Sequence, residues 1–155
     1  MEINPWYVTG LVEGEGSFLV SFSLREKLSV GIETRPSFSV SQHKRNLKVL
    51  EELNDYFGCG GIRFDSHDQT YKYEVRCLED LVQKIIPHFE KYPLRVSKTN
   101  DYEIFKKICQ SMKANLHLSV DGIKGIIESA YKMNNFGARR YTKDNLLRIL
   151  RKMKV

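Results

Sequence analysis

The stretch from Val8 to Ser17, VTGLVEGEGS, holds the residues of this 155-residue chain that are best placed to do chemistry. An apolar helical run carries Gly10 and Gly14 four residues apart, and an acidic residue, Glu15, follows it. Glycines at this spacing leave a flat strip on a helix, so a second helix can approach closely. Such an approach would bring two Glu15 carboxylates together, and both stay ionised only if cations neutralise them. Because the stretch occurs once, it predicts two chains around a candidate divalent-metal site.

The elements around this motif alternate between helical and strand patterns. Asn4 and Pro5 suit the cap and first position of a helix, which we expect to run to about Glu13. The glycines should then turn the chain and place Glu15 just beyond the helix. From Ser17 onward, apolar and polar residues alternate through one strand and, after a glycine-containing loop, through a second. The two strands predict a hairpin.

The rest of the chain predicts a second hairpin flanked by helices. A helix from about Lys44 to Tyr56 ends at Gly58, and alternation returns around Ile62 and again around Tyr73. Helical patterns then cover the ranges 78–89, 98–114 and 119–133, with one more short helix in the tail. The predicted order is α-β-β-α-β-β-α with helical additions. This order indicates an α+β fold with a four-stranded antiparallel sheet.

The four strands carry short polar and cationic side chains on the face opposite their apolar residues. Arginine and lysine bind guanine edges or phosphates, serine and threonine contact either, and a strand pair fits a major groove. We interpret this face as a candidate surface for double-stranded DNA, although ordinary solvent-exposed sheets have the same pattern. The candidate contacts are Leu19, Ser21, Ser23, Arg25, Lys27, Arg35, Ser37, Ser39, Ser41, Arg63, Asp65, Thr70, Lys72, Glu74 and Arg76.

The net charge also favours a polyanionic partner. It is +6, with an isoelectric point near 9.2. The excess lies in the C-terminal tail, where basic residues far outnumber the single acid, Asp144. Arg139 and Arg140 are therefore added to the candidate DNA contacts. A basic C-terminal helix that is merely solvated and complements its own dipole explains the same charge.

Cysteine usage and the N-terminus indicate an intracellular protein. The three cysteines are widely spaced without a CxxC pair, which favours a reducing compartment such as a bacterial cytoplasm or an organelle matrix. The start, MEINPW, lacks the layout of a signal peptide, and no apolar run suits a membrane span. The histidines show no metal-ligand spacing. We expect one domain over residues 1–134 and a basic helical tail over residues 135–155.

VTGLVEGEGS resembles the signature helix of the LAGLIDADG homing endonucleases, with Gly10, Gly14, Glu15, Gly16 and Ser17 in register. Similar stretches follow in the family's order, and together they cover most of the chain: FSVSQHKRNLKVLEEL, FGCGGI, FEKYPLRVSK and HLSVDGIKGI. The resemblance implies an αββαββα fold whose sheet forms half of a DNA-straddling saddle. It further implies a homodimeric homing endonuclease that makes double-strand breaks with short 3′ overhangs at a long pseudopalindromic target.

The resemblance also assigns candidate roles at the site. Glu15 and the carbonyl of Gly14 would hold Mg²⁺, with Mn²⁺ as a substitute, Ca²⁺ as a non-cleaving ion and no small-molecule cofactor. Gln42 would order water near the metal, and Lys98 would lie near the scissile phosphate. The alternatives are a polar strand end for Gln42 and a solvated helix start for Lys98. A basic residue usually follows the glutamine position, and His43, Lys44 and Arg45 all qualify.

A dimer through the signature helix would involve Trp6, Thr9, Gly10, Glu13 and Gly14. Trp6 suits a core position as well as an interface, and Glu13 is interpreted as a structural or helix-packing residue in preference to a metal ligand. The same fold also serves intron RNA maturases and DNA-binding proteins that do not cleave, so both remain alternatives. A chain that is half of a two-motif protein is a further alternative to the homodimer.

Overall fold

The computed structural model describes residues 2–133 and 139–153. Its helices are α1 (Pro5–Glu15), α2 (Leu47–Phe57), α3 (Leu78–Asp80), α4 (Ile86–Lys91), α5 (Lys98–Lys113), α6 (Val120–Ala130) and α7 (Lys143–Met153). A π-helical segment, Leu81–Ile85, joins α3 to α4, and short 3₁₀ segments lie at Lys44–Asn46 and Leu116–Leu118. The strands are β1 (Gly16–Leu24), β2 (Ile32–His43), β3 (Gly61–Asp65) and β4 (Thr70–Val75). The predicted order of elements is confirmed.

Helix α1 begins where the sequence predicts but ends later. The Asn4 side chain accepts a hydrogen bond from the Trp6 N–H at 2.8 Å, which caps the helix in front of Pro5. The prediction that Glu15 lies beyond the helix was wrong, because Glu15 is its last residue. The turn into β1 occurs at Gly16, where a Cβ would lie 2.6 Å from Val12 Cγ1 and 2.9 Å from its carbonyl oxygen. Close packing on Val12 therefore requires a glycine at position 16.

The four strands form one antiparallel sheet in the order β1-β2-β4-β3. Val40 lies opposite Tyr73, which in turn lies opposite Ile62, so the predicted apolar rows meet across β2, β4 and β3. Phe64, an apolar residue two positions after Ile62 on the same strand, is 43% exposed. It lies on the edge strand β3, where its ring packs on Tyr71 with the centroids 4.8 Å apart. An edge strand has a neighbour on one side only, which leaves this ring partly uncovered.

Two compact units share the chain. The first comprises residues 1–18 and 37–99, and the second comprises residues 19–36 and 100–155. The core of the first unit is aromatic: the ring of Phe38 packs within 5.4–6.5 Å, between centroids, of the rings of Phe18, Phe57, Tyr73 and Phe89. The predicted division into a domain over 1–134 and a tail over 135–155 stays a prediction.

The core of the second unit consists mostly of aliphatic side chains. Helix α5 buries one face, and α6 packs against α7 through the apolar stripes of both helices. Its fully or nearly fully buried side chains include Val30, Ile32, Phe105, Ile108, Ile123, Ile127, Leu146 and Leu150. The short tail helix predicted from the sequence is α7, and its basic residues lie opposite this apolar stripe. No helix within residues 2–133 and 139–153 is long and apolar enough to cross a lipid bilayer.

A buried polar network ties α1 to the helices around it. The Thr9 hydroxyl donates its proton to the Tyr92 carbonyl at 2.8 Å, so it must accept from His88 Nε2 at 3.0 Å. The other ring nitrogen, Nδ1, then accepts from the Tyr56 hydroxyl at 2.8 Å. Burial lowers the pKa of His88 from 6.5 to about 4, so the imidazole is neutral at physiological pH.

The free energy of unfolding should therefore fall as the pH drops below the ordinary pKa of histidine, 6.5. Between pH 6.5 and 4 the unfolded chain binds a proton at His88 that the folded chain does not, so stability declines as the pH falls through this window. We expect a loss of about 2 kcal/mol between pH 7 and pH 5. Urea unfolding at both values should show a smaller loss for His88→Gln than for the wild type.

The matched control for this experiment is His67→Gln, because His67 is exposed in the turn between β3 and β4. That variant should keep the wild-type pH dependence. Parallel pH profiles for the wild type and His88→Gln would contradict the assignment of the effect to His88.

Candidate active site and nucleic-acid interface

Helix α1 has one buried face and one open face. The buried face consists of Val8, Thr9 and Val12. On the open face, Tyr7 is 54% exposed, and a Cβ built on Gly10 or Gly14 meets no atom within 4 Å. Packing within the described chain therefore does not require glycine at either position. The open face is a flat strip of the shape that a second helix could cover.

The predicted interface residues other than these glycines have varied surroundings. Thr9 is only 4% exposed and is bonded within its own chain, as described above. Trp6 is 54% exposed and packs edge-to-face on Tyr92 at 5.2 Å. Tyr7 was missed by the sequence reasoning, although helical spacing places it beside Gly10 and Gly14. The role of all these residues in a dimer stays a prediction.

Glu15 is an exposed carboxylate at the C-terminal end of α1. It has no hydrogen-bond or ion-pair partner among the residues that the structure describes. A helix C-terminus carries partial negative charge, and the Gly14 carbonyl is among the last four, which lack partners within the helix. These oxygen donors repel anions and suit a hard divalent cation. The described ranges contain no group of three or more His, Cys, Asp or Glu side chains that could hold a metal ion.

Lys98 lies at the same end of α1, although it is distant in sequence. As the first residue of α5, it donates a hydrogen bond from Nζ to the Glu13 carbonyl oxygen at 2.8 Å. The Glu13 side chain contacts the turn that precedes α5, where its Oε1 accepts hydrogen bonds from the N–H groups of Arg95 and Val96. The structure therefore brings Lys98 to the helix end that carries Glu15.

Gln42 lies near the end of β2, opposite Tyr71 of β4. Its side-chain oxygen accepts a hydrogen bond from Asn46 Nδ2 at 3.2 Å, so the amide is held at the start of the following helical segment. It shares the sheet face of Val40, not that of the predicted DNA contacts, because side chains alternate along a strand. Its role in ordering water stays a prediction.

Within the first unit, the predicted DNA contacts form rows across one sheet face. Ser41, Lys72 and Arg63 lie side by side, and Asp65 lies beside Thr70. His43 extends the latter row and was not among the strand candidates. Two further candidates of this unit are less accessible to DNA. Ser37 is only 7% exposed, and Glu74 forms ion pairs with two arginines.

Glu74 fixes two arginines on this face. Its Oε1 lies 3.7 Å from Arg63 Nη2 and 3.1 Å from Arg76 Nε, and its side chain is 17% exposed. Both arginine side chains are more than half exposed. The carboxylate thus limits the rotamers of two cations that remain free to bind a ligand at their other nitrogens.

In the second unit, some of the candidates from residues 19–36 contact neighbouring side chains and others are open to solvent. Ser23 Oγ and Arg25 Nη1 lie 3.0 Å and 3.4 Å from Glu33 Oε2. Ser21 donates a weak 3.4 Å bond to the Arg35 carbonyl, while the Arg35 side chain is exposed. Leu19, 40% exposed, and Lys27 are open to solvent. Glu33 was not recognised from the sequence, though its alternation with Ile32 would have placed it on this face.

The two arginines proposed from the tail have different surroundings. The guanidinium of Arg139 donates to the carbonyl oxygens of Val20 at 2.7 Å and Ala130 at 2.9 Å, and it stacks over the Tyr131 ring at 4.5 Å. Its burial lowers the pKa of Arg139. Arg140 is exposed and approaches only the neighbouring Tyr141 ring, at 5.4 Å. Arg139 therefore links two backbone segments within the second unit, whereas the Arg140 side chain is exposed to solvent.

Residues 8–109 match the LAGLIDADG endonuclease family. The probable intron-encoded endonuclease 3 of Neurospora crassa is 32% identical over 135 residues, which are 86% of this chain and 25% of that protein. The crystal structure of the homing endonuclease I-TnaI superimposes with a TM-score of 0.85 and 35% identity over 99% of both chains. The structure of I-SmaMI bound to uncleaved DNA target in the presence of calcium ions gives a TM-score of 0.83 at 35% identity, over 86% of this chain and 45% of that one.

The fold, the α1 motif and these matches agree, and the chain belongs to the LAGLIDADG endonuclease family. The predicted family resemblance is confirmed. The chain spans between 25% and 29% of the length of the curated fungal relatives that it matches first.

The two tail arginines should respond differently to substitution. Arg139→Met should lower the free energy of unfolding by about 2 kcal/mol, because two carbonyl oxygens lose a charged donor. Arg140→Met, the matched control, should change it by less than about 0.5 kcal/mol. Thermal unfolding of both variants measures the difference. Equal stability of the two variants would show that the contacts of Arg139 contribute nothing.

Proposed function

We propose that the chain is a site-specific DNA endonuclease that acts as a homodimer and hydrolyses a phosphodiester bond in each strand with Mg²⁺. One observation carries the proposal: the exposed Glu15 carboxylate and the Lys98 ammonium group are held at the same end of α1. A protein that only binds DNA gains nothing from a carboxylate aimed at phosphates, because like charges repel.

In this mechanism Glu15 and the Gly14 carbonyl hold the metal. Bound there, Mg²⁺ would supply charge neutralisation at the phosphate and a water of lowered pKa. Mn²⁺ has similar oxygen preferences, and Ca²⁺ would support binding without cleavage. Lys98 has three N–H donors and uses one on Glu13, so others are available to a phosphate oxygen. Gln42 would orient water through its amide.

The glycines of α1 support the homodimer. Glycine inside a helix is less favourable than alanine by about 0.5–1 kcal/mol, and nothing in the described chain requires it at positions 10 and 14. A second copy packed on this strip would account for both residues and would bring two Glu15 side chains together.

The DNA contacts are proposed for each unit by itself. In the first unit they are the exposed members of the rows around Lys72, and in the second they are the exposed residues of β1 and β2 together with Arg140. Their chemistry suits phosphates and guanine edges, and the net charge of +6 favours a polyanion. Two-fold symmetry predicts a long pseudopalindromic target. The family resemblance implies short 3′ overhangs.

A Glu15→Gln substitution tests the proposed metal site. Selection from a randomised duplex library with Mg²⁺ should first yield one pseudopalindromic site cut in both strands with 3′ overhangs. On that site, Glu15→Gln should cut at least about 100-fold more slowly, because the amide is a weak metal ligand. Affinity measured in Ca²⁺ should persist. Glu51→Gln, an exposed substitution on α2, is the control.

Two outcomes would contradict the proposal. Undiminished cleavage by Glu15→Gln would remove Glu15 from the mechanism. Tight duplex binding by the wild type without any cut, or a preference for folded RNA, would instead indicate a binding protein or a maturase.

A Gly10→Leu substitution tests the dimer. The larger side chain should block the second helix, so sedimentation velocity should show a monomer where the wild type is a dimer. Gly125→Leu is the matched control, because Gly125 is an exposed helical glycine with equally open surroundings on α6. A monomeric wild type, or a Gly10→Leu variant that stays dimeric, would count against this interface.

A further inference from the structure

We propose that Glu13 is a positioning residue that holds Lys98 at the C-terminal end of α1. The proposal rests on the proposed function, because Lys98 has a role in cleavage only if the chain cuts DNA. Glu13 itself would contact neither the metal nor the phosphate. Its action would pass through the turn that precedes α5 and through Lys98.

Glu13 contacts the segment from Arg95 to Lys98 through both its side chain and its main-chain carbonyl. Its carboxylate Oε1 accepts hydrogen bonds from the Arg95 N–H at 2.5 Å and from the Val96 N–H at 3.4 Å. Its main-chain carbonyl accepts from Lys98 Nζ at 2.8 Å. The two segments are separated by 82–85 residues in sequence. One residue of α1 thus holds both the backbone of the turn and the side chain that follows it.

The turn needs such an anchor because it lies outside regular structure. After α4, Tyr92 and Pro93 break the helix, Leu94 is buried, and Arg95 and Val96 are exposed before α5 begins at Lys98. Among the described residues, the N–H groups of Arg95 and Val96 have no helix or strand partner, and a carboxylate is the strongest acceptor that a side chain offers. The Thr99 N–H then bonds to the Val96 carbonyl at 3.0 Å. Fixing Val96 therefore fixes where α5 starts.

The tether of Lys98 orders a side chain that would otherwise be flexible. A free lysine samples many rotamers, and this freedom would have to be lost when a phosphate binds. With Nζ already held on the Glu13 carbonyl, much of that loss occurs on folding. Because Glu13 and Glu15 belong to the same final turn of α1, the tether also keeps Lys98 beside the proposed metal ligand. This is preorganisation of the site.

Single-turnover cleavage of the selected site in Mg²⁺ tests the role of Glu13. Glu13→Ala should cut at least about 10-fold more slowly, since small displacements of a catalytic group are costly. Its duplex affinity in Ca²⁺ should match that of the wild type. Glu13→Gln keeps a side-chain acceptor for the Arg95 N–H and should restore most of the rate. Glu51→Ala, exposed on α2, is the matched control.

A double-mutant cycle separates positioning from other roles. If Glu13 acts through Lys98, adding Glu13→Ala to Lys98→Met should cause no further loss of rate. Multiplying losses would overturn the proposal. So would a Glu13→Gln variant that fails like Glu13→Ala and needs more Mg²⁺, because that result identifies Glu13 as a metal ligand.

Amide hydrogen exchange tests the contact without relying on cleavage. In Glu13→Ala, exchange at Arg95 should accelerate relative to the wild type and Glu13→Gln, because the N–H loses its acceptor. Unchanged exchange at Arg95 would overturn the positioning role even in an active enzyme. If the wild type does not cleave DNA but exchange at Arg95 is faster in Glu13→Ala, the proposed function is wrong. The same result would still support the role of Glu13 in holding the turn before α5.

Discussion

Packing around the Phe38 ring is the interaction on which the first unit depends. This fully buried ring contacts aromatic side chains from β1, α2, β4 and α4, namely Phe18, Phe57, Tyr73 and Phe89. Phe18 lies just beyond Gly16, so the same packing fixes where α1 ends and where Glu15 emerges. Aromatic rings bury large areas in defined orientations, which makes this core a rigid support for an exposed carboxylate. The position of the Glu15 carboxylate thus depends on a well-packed interior.

The glycines of α1 have two different physical functions. Gly16 is required within the chain, because any side chain there would collide with Val12. Gly10 and Gly14 face open space, and no contact within the described chain requires a glycine at either position. On the opposite face of the same helix, Thr9 is hydrogen-bonded to the buried His88. One short helix therefore combines a fixed inner face, a flat outer face and a charged end.

Carboxylates on the sheet surface organise cations in both units. Glu74 holds Arg63 and Arg76 in the first unit, and Glu33 holds Arg25 in the second. Exposed ion pairs of this kind contribute little to folding stability. Their effect is on geometry, since they restrict the rotamers of long side chains before a ligand arrives. An acidic residue on a surface proposed to bind DNA is thus compatible with binding.

The sequence by itself determined the local features: the Asn4 cap, the strand alternation, the order of elements and the motif that ends in Glu15. These depend on neighbouring residues, whose spacing is visible in the chain. Tertiary structure alone decided which distant groups meet. The bonds from Glu13 to Arg95, from Thr9 to His88 and from Arg139 to Val20 join residues 79 to 119 positions apart. Periodicity predicts which face of an element is buried, but the partner of each polar group there is fixed only when folding brings the two together.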